Sequence, residues 1–122
     1  MPDRPTPDVE LLRAAYAAFN ARDIDAALAT MAPDVAWPRA FKGGFVRGHQ
    51  EVRDYWTEQW AEIDPHVEPV GFTARNHGRI RATVRQTVRT LNGAVLAEGV
   101  VLHTYVFRGG LIARMDISEP GP

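Results

Sequence analysis

Two residues near the C-terminus have the right types and the right spacing for proton transfer. They are His103 and Asp116. A carboxylate beside an imidazole fixes its tautomer and raises its basicity, the arrangement that general acid–base sites use. Two turn signals bring the pair together. Asn92-Gly93 reads as a two-residue hairpin turn, and Gly109-Gly110 reads as a second. The first pairs Leu91 with Ala94, so Val84 faces Val101, Ala82 faces His103 and Ile80 faces Tyr105. The second pairs Arg108 with Leu111, so Phe107 faces Ile112 and His103 faces Asp116. The competing reading is a satisfied polar pair in a wall, with no chemistry.

Other groups could join such a site. Tyr16 and Gln86 can polarise a carbonyl. Trp37, Trp56 and Trp60, with Phe19, Val101 and Tyr105, can line a cavity for a flat apolar molecule, although aromatics at helical spacing usually belong to a core. The remaining histidines, His49, His66 and His77, show no metal-ligand spacing, so no metal is expected. No phosphate loop and no nucleophile elbow is present, which leaves cofactor-free chemistry or binding alone.

Composition narrows the class. The chain has 122 residues, of which 45% are hydrophobic and 24% charged, enough for one globular domain over 1–122. The formal net charge of -1 argues against a nucleic-acid binder. The absence of cysteine excludes disulfides and thiol chemistry. MPDRPTPDVE has no apolar stretch of signal-peptide type, and no apolar run is long enough to span a bilayer. A cytoplasmic protein without membrane partners is expected.

The elements that must position these groups are three helices followed by long strands. Thr6 can cap the first helix, Pro7 opens it, and Val9, Leu12, Tyr16 and Phe19 form its apolar face. Asp23 caps a short second helix through about Met31. Val35-Ala36-Trp37 is a short strand. A third helix runs from about His49 to Ile63, with Val52, Trp56, Trp60 and Ile63 on one face. From Val67 onward the period is two. The hairpin registers put Val84, Gln86, Val101, His103, Tyr105, Phe107, Ile112, Arg114 and Asp116 on an inner face. They put Leu102, Val106, Met115 and Ile117 on the outer one. That outer apolar patch predicts a homodimer through the outer sheet face.

LLRAAYAAFNARDIDAALATMAPDVAW, GHQEVRDYWTEQW and GVVLHTYVFRGGLIARMDIS resemble the nuclear transport factor 2-like superfamily, in its SnoaL-like and ketosteroid-isomerase-like branch. The resemblance implies an α+β cone. Three N-terminal helices pack in a strongly curved antiparallel sheet that encloses a pocket. Members include isomerases, cyclases, dehydratases and pure binding domains, so fold leaves function open. The proton-shuttling aspartate of the steroid isomerases would fall at Arg39, their helix tyrosine at Ala15, and their protonated aspartate at His103. Two of those three positions lack the required group. SnoaL-like cyclases place an acidic residue on the last strand, where this chain has Asp116. The expectation is a cofactor-independent acid–base enzyme for a hydrophobic small molecule. Its alternatives are a non-catalytic binding domain and a dimeric scaffold.

Overall fold

The structure, a computed structural model, describes residues 7–40 and 42–120. Thr6 lies outside them. Pro7 opens α1 (Pro7–Asn20), whose buried residues Leu12, Ala15, Tyr16 and Ala18 make one face. The helix closes through Arg22, which takes the left-handed conformation at φ 63° that usually selects glycine. Its amide bonds the Phe19 carbonyl, and the Asp23 amide bonds that of Ala18. Arginine occupies this position because its side chain works there. The guanidinium donates to the Phe19 and Pro65 carbonyls and pairs with Asp64, tying the helix end to the sheet. Asp23 caps α2 (Ile24–Leu28), accepting from the Ala26 amide at 3.1 Å.

The second helix is shorter than its sequence pattern predicts, because the chain is already extended at Met31. Strand β1 runs Met31–Pro38 and β2 runs Phe45–Arg47. Gly48, at φ 82°, opens α3 (Gly48–Trp60); a Cβ there would stand 3.3 Å from the Pro33 carbonyl oxygen. The long strands are β3 (Asp64–Ala74), β4 (Ile80–Arg89), β5 (Val95–Arg108) and β6 (Leu111–Ser118). They form one curved, unclosed sheet in the order β2-β1-β6-β5-β4-β3, antiparallel except where β1 meets β6. The helices cover its inner face. Edge strand β3 is held by Asn20, whose amide donates to the Val67 carbonyl at 2.7 Å and accepts from the Val67 amide at 3.0 Å. No helix among the described residues is long and apolar enough to cross a membrane.

Register decides which side chains enter the cone. In the first hairpin, Val84 faces Val101, Ala82 faces His103 and Ile80 faces Tyr105, as the sequence predicts. The turn itself is longer. Thr90 pairs with Ala94 across Leu91, Asn92 and Gly93, and an irregularity between Val88 and Arg89 then absorbs the offset. Two departures of one residue cancel.

In the second hairpin nothing cancels. Phe107 faces Ile112, but Val106 then faces Arg114, which leaves Ala113 as a bulge. Beyond it every side chain of β6 is on the opposite face from the one predicted. His103 faces Ile117, and Asp116 faces Thr104 on the outer side. Asp116 there takes a two-pronged ion pair from Arg114, at 3.0 Å to each oxygen, and the Arg114 guanidinium lies over the Phe45 ring. The predicted His103–Asp116 contact does not exist. The outer apolar patch likewise loses Met115 and Ile117 to the inner face.

The slip has a measurable energetic signature. Asp116→Ala removes a half-exposed ion pair and should cost less than about 1 kcal/mol. Met115→Ala empties a side chain that is 2% exposed and should cost about 2–5 kcal/mol in urea denaturation. The register predicted from the turns alone requires the reverse order.

Candidate functional site

The inner face and helices α1 and α3 enclose a pocket of about 60 Å³, or about 620 Å³ when its open mouth is included. Tyr16 and Phe19 enter from α1, Tyr55, Trp56 and Gln59 from α3, and Trp37 from β1. The sheet contributes Val67, Gln86, His103, Tyr105, Met115 and Ile117. Of the residues expected to line it, Trp60 and Val101 do not. Trp60 stands behind Trp56 and Phe19, under the Arg22 guanidinium, and its indole nitrogen is buried without a partner among the described residues. Met115, Ile117 and Gln59 line the pocket without being expected to, and Tyr55, a possible hydroxyl donor by its sequence, does so too. The β6 pattern held a signal for the first two, since an unbroken alternation after Ile112 would have turned two charges into the cone.

The polar heart of the pocket is a chain of three side chains. The Tyr105 hydroxyl donates to the Tyr16 oxygen at 2.7 Å, and Tyr16 lies 2.8 Å from Nδ1 of His103. With Tyr105 donating to Tyr16, Tyr16 has its own proton for Nδ1 and the ring hydrogen is on Nε2; the reverse order, from Nδ1–H through Tyr16 to Tyr105, goes with the other tautomer. Nε2 makes no hydrogen bond within the described residues. The Tyr16 and His103 rings also stack, with centroids 5.9 Å apart.

Burial sets the charge of this cluster. His103 is 5% exposed, and desolvation pulls its pKa down to about 4, so it is neutral at physiological pH. Desolvation, reinforced by Tyr105, pushes the Tyr16 hydroxyl well above its usual range; desolvation does the same to Tyr105, partly offset by its bond to Tyr16. Among the described residues no Asp, Glu, Lys or Arg lines the pocket. Among the described residues no group of three or more His, Cys, Asp or Glu is placed to hold a metal ion.

Around this heart the aromatics interlock edge to face. Trp56 meets Phe19 at 5.2 Å and 80°, and Trp37 at 5.6 Å and 85°. Gln59 donates to the Tyr55 hydroxyl at 2.8 Å on the α3 side. The site can therefore accept a flat apolar group and donate one hydrogen bond to it from an uncharged imidazole.

The SnoaL-like domain model matches residues 12–115. The chain belongs to the SnoaL-like family. No curated protein matches the sequence. Among solved structures, TerC co-crystallised with polyporic acid is 25% identical, with a TM-score of 0.82, covering 94% of this chain and 92% of that one. An NTF2-like protein of unknown function from Burkholderia pseudomallei is also 25% identical, at a TM-score of 0.81 and the same coverage. RV0760c from Mycobacterium tuberculosis, in complex with estradiol-17beta-hemisuccinate, shares the fold at 21% identity and a TM-score of 0.76, covering 90% and 91%.

The depressed histidine pKa carries a sign that can be tested. The unfolded chain binds a proton near pH 6.5 that the folded chain refuses until about pH 4. Stability is therefore full above pH 6.5 and falls as pH drops toward 4, by up to about 3 kcal/mol from this group. His103→Gln should flatten that part of the profile in thermal melts between pH 7 and pH 4.5.

Proposed function

We propose that this domain binds an uncharged, flat, hydrophobic small molecule and donates a hydrogen bond to its oxygen from His103 Nε2. One observation supports the reading: a neutral imidazole, bonded through Nδ1 to Tyr16 and with Nε2 unengaged among the described residues, stands in an aromatic-walled pocket. Charge disfavours other ligand classes. A carboxylate entering this pocket would lose its water and meet no cation among the described lining residues. TerC, of the same fold and co-crystallised with polyporic acid, supports the general reading of a small organic ligand. Homodimerisation through the outer face remains part of the proposal, now resting on Leu102 and Val106 without Met115 and Ile117.

The same chain also suits one part of a catalytic version. Tyr105 and Tyr16 behind a neutral imidazole make a preorganised donor, the kind that stabilises charge growing on an enolate oxygen. In that version His103 polarises a carbonyl, and Tyr16 holds the tautomer that lets it do so. Asp116 has no part, because its carboxylate is on the other face of the sheet. The lining residues supply no carboxylate base, so binding is the reading the geometry favours over isomerase, cyclase or dehydratase chemistry.

A neutral naphthol should quench the fluorescence of Trp37 and Trp56 and raise the melting temperature through binding linkage. Naphthoate, equal in shape but anionic, should bind at least tenfold more weakly. His103→Leu should weaken naphthol binding roughly threefold to tenfold, the worth of one uncharged hydrogen bond. Equal binding of naphthol and naphthoate would contradict the reading.

A further inference from the structure

His103 is not the only polar group that the pocket leaves unused. Gln86 lines it from β4, half-buried on an otherwise apolar strand face. Its amide makes no hydrogen bond to any described residue. Its amide nitrogen and oxygen are not buried, so their two donors and one acceptor can meet a ligand's oxygen.

The register gives the spacing between the two unused groups. His103 faces Ala82, and Gln86 lies four residues further along β4 on the same inner face. At the rise of an extended strand that is about 13 Å. Across from Gln86 stands Gly99, where an added Cβ would meet nothing within 4 Å. The inner face beside the amide is thus open. The conformation of Gly99 does not demand glycine, since its φ is not in the left-handed range.

From this we infer that the pocket selects ligands oxygenated at both ends: one oxygen on His103 Nε2–H, the other on the Gln86 amide, with an apolar span between. The inference rests on the binding reading above and adds to it a length and a second functional group. The amide reads hydroxyl and carbonyl alike, because it offers both a donor and an acceptor. The imidazole, with Nδ1 occupied by Tyr16, offers only its donor. The two ends are therefore unequal, and the ligand has a preferred direction when its two oxygens differ.

The test uses two rod-shaped neutral probes, para,para′-dihydroxystilbene and para-hydroxystilbene, titrated calorimetrically against the purified protein. The wild type should bind the dihydroxy probe roughly threefold to tenfold more tightly, one hydrogen bond's worth. In Gln86→Leu that ratio should fall to about one. Gln86→Ser, too short to reach the same oxygen, should behave like Gln86→Leu and serves if the leucine variant misfolds. Equal affinities in the wild type, or a ratio that survives both substitutions, would overturn the two-ended reading while leaving the binding reading intact. Failure of both probes to bind the wild type would overturn both readings.

Discussion

The hydrogen-bond chain from Tyr105 through Tyr16 to His103 is the constraint around which this site is built. It joins α1 to the middle of the sheet at a place where all three side chains are buried. Each member would be expensive to bury alone, and each is acceptable because the next one pairs with it. With one hydroxyl proton per tyrosine, the donor sequence runs one way or the other, and the direction proposed above, from Tyr105 through Tyr16 to Nδ1, leaves the imidazole hydrogen on Nε2. A structural requirement, satisfying three buried polar groups, thereby becomes a chemical property, a neutral donor presented to the pocket. The same burial that keeps His103 uncharged removes it as a strong base.

The aromatic shell depends on this arrangement. Trp56 is 1% exposed and touches both Phe19 and Trp37, so the pocket wall is also the core. Arg22 fastens the end of α1 over Trp60 and onto Asp64 and Pro65, which keeps Phe19 and Tyr16 at the sheet. A pocket with so little polar lining favours ligands by shape and by a few placed hydrogen bonds, not by charge.

Much of this was legible in the residues, and what was not has a physical cause. The helix faces of Tyr16, Phe19 and Trp56 follow from their spacing. The β4–β5 register follows from the position of Asn92-Gly93, although by two offsetting irregularities and not by a simple turn. The β6 register does not follow from Gly109-Gly110, because turn chemistry fixes pairing only up to the first bulge. Ala113 bulges where β6 passes from the turn to its parallel neighbour β1, whose own pairing is irregular between Met31 and Ala36 around Pro33. Side-chain chemistry held the missing information. A continuous alternation buries Arg114 and Asp116, whereas a one-residue slip buries Met115 and Ile117, and hydrophobic burial decides between them. The likeness to cyclases at Asp116 pointed the same wrong way, since it matched a residue type without its face.

The central claim is that His103 is a neutral hydrogen-bond donor held by Tyr16, not one half of an acid–base pair. Nitrogen-15 NMR of the histidine side chains reads tautomer and charge together. At pH 6, where a free histidine is mostly protonated, the account predicts an uncharged His103 ring with its proton on Nε2, and a Tyr16→Phe variant that loses this fixed tautomer. An imidazolium at pH 6, or a neutral ring protonated on Nδ1, would contradict it.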